Sequence, residues 1–249
     1  MQVIAFISGK GGVGKSSLTA NVAAGLALRK KSVLVVDLDP QNMQRIHLGL
    51  DPHEVAGLSR EGLHPDGVFE SPFNVHFMPY GSVPDEARTE FEGYLRDHPL
   101  WLRDSIASLD EGAYNFVLID TPPGGSVYLH QALQAANRAV IVVLPDAASL
   151  STLPRTLRLV DEIAGGRPDF EGCHLIVNQM PHGSKLAHQV QRTLQLTYPQ
   201  LLTPVTIPRD TAVQQALAYE RPVLQYELNC PASLALQGLA DWLIDGSDE

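Results

Sequence analysis

The sequence predicts an α/β fold: a doubly wound, mostly parallel sheet with helices on both faces. Three observations carry that expectation. Short runs rich in Val and Ile recur along the chain. Most of them show no polar alternation, as strands do when both faces of a parallel sheet are covered. Longer amphipathic stretches separate them, which gives the repeat of strand, crossover helix and parallel strand.

The first strand is predicted over residues 3–7, apolar throughout and running straight into a Gly/Lys turn, and a helix follows over 15–30. Strand 33–36 is Val and Leu only and ends in Asp37. Residues 49–72 are the loosest stretch and are expected to leave the sheet irregularly, with turn signals at Asp51-Pro52, His64-Pro65-Asp66-Gly67 and Ser71-Pro72. Strand 75–78 precedes a long helix over 85–109; strand 116–119 ends at Asp120 and leads to a helix over 127–136. Strands 140–144, 175–177 and 205–207 then alternate with helices 149–163, 185–196 and 211–219, and a last helix covers 232–244. Residues 1–245 read as one domain and 246–249 as an acidic, frayed tail.

Composition narrows the function classes. Hydrophobic residues make up 44% of the 249 and charged residues 18%, which excludes a disordered or collagen-like chain. The net charge of −10 argues against sequence-independent DNA binding by overall charge, since that relies on Lys and Arg neutralising phosphates. A local basic patch stays possible; Arg155, Arg158, Lys185 and Arg192 are its candidates, against the ordinary fate of a solvated helix face. Two cysteines, Cys173 and Cys230, have no metal-ligand spacing and read as small buried thiols in a reducing compartment. The N-terminal run has no basic flank, so a secretory leader is not expected. The longest apolar run, 139–144, is far below the ~20 residues of a membrane span.

The chemistry concentrates after the first strand, in Gly9-Lys10-Gly11-Gly12-Val13-Gly14-Lys15-Ser16. Gly9, Gly11 and Gly14 match the dinucleotide fingerprint G-x-G-x-x-G, and the same residues match the P-loop G-x-x-x-x-G-K-[ST]. Both need glycine so that backbone N–H groups approach phosphate oxygens closely. Lys15 and Ser16 decide between them: a P-loop needs an ammonium at the β and γ phosphates and a hydroxyl on Mg²⁺, and a dinucleotide turn needs neither. The candidate nucleotide-contacting positions are therefore Gly9 to Ser16 together with Ser17. An apolar strand that delivers Asp120 beside this loop is the Walker B arrangement, so Asp120 and Ser16 are candidate Mg²⁺ holders. No guanine-specific N-K-x-D follows a strand, which favours ATP and ADP over GTP.

Lys10 is not required by a simple P-loop. With it, the loop resembles the deviant Walker A pattern K-G-G-x-G-K-[ST] of the MinD/ParA group of P-loop ATPases. The resemblance implies a homodimer closed around ATP, with Lys10 reaching the nucleotide of the other subunit. It also implies that Asp37-Leu38-Asp39-Pro40-Gln41 is switch I. Asp39 then orients the attacking water and lies by the metal, while Asp37 either faces the metal or structures the loop. Pro122 to Gly125 look like switch II. Lys10, Lys15 and Asp39 are thus the catalytic candidates. At the base end, Asn178 is a candidate adenine reader. Pro208, Arg209 and Asp210 match segments that flank adenine in the family; Asp210 reads equally well as a helix N-cap.

Within that group, residues 176–180, 207–213 and 221–223 look like the cellulose-biosynthesis (BcsQ) branch. This implies a slow, Mg²⁺-dependent switch ATPase of the cytoplasm, recruited by a protein partner to a membrane-bound synthase. The acidic C-terminal end has no Lys or Arg after residue 221, so a MinD-like membrane-targeting helix is not expected. A ParA-type DNA or cargo partitioner and a nucleotide-gated interaction module remain the alternatives.

Overall fold

In a computed structural model that describes residues 1–51, 53–64, 67–109 and 112–246, the expected sheet forms. Its strands are β1 (Gln2–Ile7), β2 (Val33–Asp37), β3 (Phe69–Glu70), β4 (His76–Met78), β5 (Phe116–Asp120), β6 (Arg138–Val143), β7 (Gly172–Met180) and β8 (Leu202–Pro208). Their spatial order is β3-β4-β2-β5-β1-β6-β7-β8. Every pairing is parallel except the short β3–β4 edge.

The missing polar alternation now has its cause. Val3, Ala5 and Ile7 of β1 join a core shared with α4 (Asp85–Asp97), α5 (Trp101–Ala107), α6 (Val127–Ala135), α7 (Ala147–Ala164) and α8 (Lys185–Thr197). Ile4 and Phe6 point the other way, to α1 (Lys15–Leu28), α9 (Thr211–Ala218), α10 (Val223–Tyr226) and α11 (Pro231–Asp245). Each fully buried Val, Ile, Leu or Phe contributes roughly 1.5–3 kcal/mol, so both faces must be apolar. Helix α1 lies under α11 closely enough that a Cβ on Gly25 would come within 3.0 Å of the Ala240 Cβ.

Topology then fixes where a ligand can go. From β1 the chain crosses one face through α1 to β2; from β5 it crosses the other face through α6 to β6. Such a reversal opens a crevice at the carboxyl ends of the strands. Phe6 is in register with Asp120, and Asp120 with Asp37, so the ends of β1, β5 and β2 meet there.

Several expectations are corrected. The helix expected over 85–109 is two helices, because Pro99 drives His98 out of the helical region (φ −123°, ψ 71°). Strands β7 and β8 run longer than 175–177 and 205–207, so Asn178 and Pro208 belong to strands rather than following them. The loose stretch 49–72 holds one helical turn, α3 (Leu58–Glu61), and returns to the sheet as β3. A further turn, α2 (Gln44–His47), was not expected at all. Cys230 is buried, whereas Cys173 is only half-buried. The turn signals at Pro52, Pro65 and Asp66, and the tail beyond Gly246, lie outside the described residues.

Candidate functional site

The β1–α1 loop has the backbone a phosphate cradle needs. Gly12 and Gly14 take φ +75° and +80°, a region that side chains rarely adopt. A Cβ on Gly12 would meet nothing within 4 Å, whereas one on Gly14 would lie 2.8 Å from the Asn178 amide. Gly14 starts α1 with no side-chain cap and no acidic residue in the first turn, so the helix N-terminus is left to an anion. Gly11 is exposed. Gly9 is glycine for another reason: its Cβ would stand 2.7 and 2.8 Å from the Thr156 and Thr152 hydroxyls of α7. Val13 buries its side chain in the core. Ser16 and Ser17 are half-buried at the start of α1.

Three carboxylates gather against this loop. Asp37 and Asp120 are fully buried and Asp39 is 9% exposed. Lys15, itself buried, donates to Asp120 Oδ1 at 2.5 Å. Asp37 accepts from the backbone N–H groups of Asp39 and Gln44 (2.9 and 3.1 Å) and so staples the loop after β2. Asp39 accepts from the Gln41 amide at 3.0 Å. Burial first, then the charge of Asp120, pushes the Asp37 carboxyl well up. Burial also raises Asp39, with the Gln41 amide and Lys15 opposing. An unpaired buried charge is costly, so negative charge in excess of Lys15 is relieved either by a proton or by a further cation.

Lys10 does not extend freely. Its ammonium bonds Asp146 at 2.6 Å, within its own chain. Asp146 caps α7 through the Ser149 amide. Burial raises its carboxyl, but Lys10 and the Ser149 groups outweigh that and hold it below the usual range. The segment after β5 is tied to β1 and the start of the loop by two bonds, Gly124 N–H to the Ser8 carbonyl and Thr121 Oγ1 to the Phe6 carbonyl, both 2.9 Å.

Beyond Gly14 lies a cavity of about 180 Å³, lined by Ser17, Asn21, Asn178, Pro208, Arg209 and Asp210 among others. The structure therefore gathers the base-end candidates beside the loop. Asn178 spends its amide on the Val13 carbonyl (2.8 Å), bracing the loop from β7. Asp210 is a cap: its two oxygens accept from Ala212 at α9 and Ala232 at α11. Arg209 is exposed, its backbone N–H bonded to the Met180 carbonyl. The four basic candidates, Arg155 and Arg158 on α7 and Lys185 and Arg192 on α8, are exposed and lie apart from this cleft.

Two participants escaped sequence reasoning. Asp146 carried a faint signal, an acidic residue just past an apolar strand and three before Ser149 at a helix start. Gln44 carried none, being in a helix of one turn. Its amide joins Ser16 to Asp120, and its Oε1 is buried without a partner, a defect worth about 1–3 kcal/mol. His47, at the other end of α2, is buried enough that its pKa falls to about 4, Asp120 opposing. Unfolded, it titrates near 6.5 and binds protons that the folded state refuses. Stability is therefore complete above pH 6.5 and lost as pH falls toward 4, by about 3 kcal/mol. Urea unfolding at pH 7 and 4.5 should show that loss, and His47→Gln should remove its share of the slope.

A glycine loop that carries Lys10 between a central parallel strand and a helix, with Lys15 held by the aspartate that ends the adjacent strand β5, marks a P-loop ATPase of the MinD/ParA class. Residues 1–244 match the family described as "Cellulose biosynthesis protein BcsQ", and the chain belongs to that family. It is 32% identical to the chromosome-partitioning ATPase Soj of Thermus thermophilus, covering 96% of this chain and 93% of that protein. It is 28% identical to the cellulose biosynthesis protein BcsQ of Escherichia coli K12, covering 98% and 94%. Among solved structures it superposes on MinD of Pyrococcus horikoshii complexed with Mg-ADP (TM-score 0.79, 24% identity, covering 97% and 95%). It also superposes on an ATP complex of an aspartate-to-alanine variant of McdA from Cyanothece (TM-score 0.82, 21% identity, covering 98% and 96%). No helix among the described residues is long and apolar enough to cross a membrane.

Proposed function

We propose that this chain is an Mg²⁺-dependent switch ATPase that dimerises around ATP and serves, in the cytoplasm, a membrane-bound cellulose synthase. The observation that carries the reading is the buried Lys15–Asp120 pair beneath the left-handed glycines. An ammonium and a carboxylate at the floor of an anion cradle are the two groups a metal–phosphate substrate needs. In this reading the amides of 11–14 and Lys15 hold the phosphates, with Ser17 beside them. Ser16 and Asp120, with Asp39 nearby, hold the ion. Three buried carboxylates against one buried lysine fit such an ion. Mg²⁺ keeps much of its hydration, so the Ser16 hydroxyl and one carboxylate would suffice on the protein side. When bound, Mg²⁺ offsets charge on the β and γ phosphates. Asp39 orients the attacking water, and the cavity walled by Asn178, Pro208 and Arg209 takes the adenine. Residues 1–245 act as one domain.

Lys10 is the dimer's cation. ATP closure requires it to exchange Asp146 for the partner's phosphates. Lys10→Ala is expected to bind ADP as tightly as wild type, within about twofold, while losing the ATP-dependent dimer. Light scattering with ADP and with ATP reads both; a dimer that persists in the variant removes the trans role. Copurification with synthase subunits tests the cellulose role. The identity with Soj favours a second reading, partition of a cargo on DNA, with Arg155, Arg158, Lys185 and Arg192 as contacts. An ATP-dependent, salt-sensitive shift of DNA that is lost when these are neutralised would select it.

A further inference from the structure

We propose that Gln44 is a positioning residue of the magnesium site, holding Asp120 against the loop and offering its own oxygen as an acceptor to the ion's hydration shell. The inference rests on the ATPase reading above. Gln44 is fully buried. Its Nε2 donates to the Ser16 carbonyl at 3.0 Å and to Asp120 Oδ2 at 2.9 Å. Both hydrogens of the amide are thereby used, and two oxygen acceptors fix its orientation, since a flipped amide would set oxygen against oxygen twice. Its backbone N–H donates to Asp37 Oδ2 at 3.1 Å. One residue thus joins the start of α1 and the ends of β5 and β2.

Asp120 is then held from both sides: Lys15 takes Oδ1 and Gln44 takes Oδ2. When Lys15 turns to phosphate, Gln44 is what keeps the carboxylate aimed. The remaining atom, Oε1, is buried with no donor among the described residues. Buried acceptors in folded proteins nearly always have one. Mg²⁺ sheds its water reluctantly, so an ion held at Ser16 and Asp120 would supply the kind of donor this acceptor lacks. Gln44 also follows directly on the loop carrying Asp39, so a movement of that loop reaches Asp120 through it.

The test is a Mg²⁺ titration of a fluorescent ADP analogue's binding to wild type, Gln44→Met and Gln44→Asn, with the same binding measured in EDTA. Methionine keeps the bulk without the amide; asparagine keeps the amide but is too short to span both acceptors. Affinity in EDTA should stay within about twofold, while half-saturating Mg²⁺ rises about tenfold or more in Gln44→Met, as for lost outer-shell partners of other metal sites. Gln44→Asn should shift the same way, and it decides the matter if Gln44→Met does not fold. Raising Mg²⁺ should restore turnover. An unchanged Mg²⁺ requirement in a folded variant, or turnover that no Mg²⁺ concentration restores, overturns the role of Gln44. A wild type whose ADP binding ignores Mg²⁺ overturns the metal site itself.

Discussion

Lys15→Ala is expected to abolish turnover and, separately, to weaken the unliganded fold. Removing a donor aimed at developing charge costs about 10²–10³ in turnover, and here the ammonium also helps hold the substrate. The second effect comes from the partner it leaves behind. Asp120 is 0% exposed, and among the described residues its side chain would retain only the Gln44 side-chain amide. Breaking a buried ion pair from one side costs about 3–5 kcal/mol. Urea unfolding without nucleotide should show that loss, and Lys15→Ala with Asp120→Asn should recover most of it while remaining inactive. Normal hydrolysis by a folded Lys15→Ala protein would falsify the P-loop assignment.

Asp39→Ala should do the opposite to stability and as much to chemistry. Asp39 is a buried carboxylate raised by burial, and Asp120 adds to the rise. Removing it relieves charge repulsion, so the melting temperature should hold or increase. Turnover should fall about 10²-fold or more if the carboxylate orients water. ATP should still drive the dimer, and single-turnover measurements should show bound ATP persisting. A variant that cannot form the dimer would make Asp39 a structural part of the interface.

Much of this site was legible because its chemistry is local in the chain. The loop from Gly9 to Ser16 is one contiguous phosphate-binding device, and Asp37, Asp39 and Asp120 stand at strand ends that apolar runs announce. The helix 85–109 was misread because apolar periodicity continues through Pro99 while the backbone cannot. Asp210 forms the helix cap that the sequence offers as one of its two readings, and it caps a second helix as well; Asn178 braces the loop, a bond that local sequence does not announce. Gly9 fitted the motif, yet the contact that requires it belongs to α7.

The sequence by itself determined the sheet, the anion loop and the carboxylates beside it, because strand patterning and close backbone approach depend on neighbouring residues. Only the tertiary structure decided the pairing of those groups: Lys15 with Asp120, Lys10 with Asp146, and Gln44 between Ser16 and Asp120. Those partners are 105, 136, 28 and 76 residues apart. Separations of that size leave no mark in local composition, since burial and strand register, rather than spacing, bring the charges together.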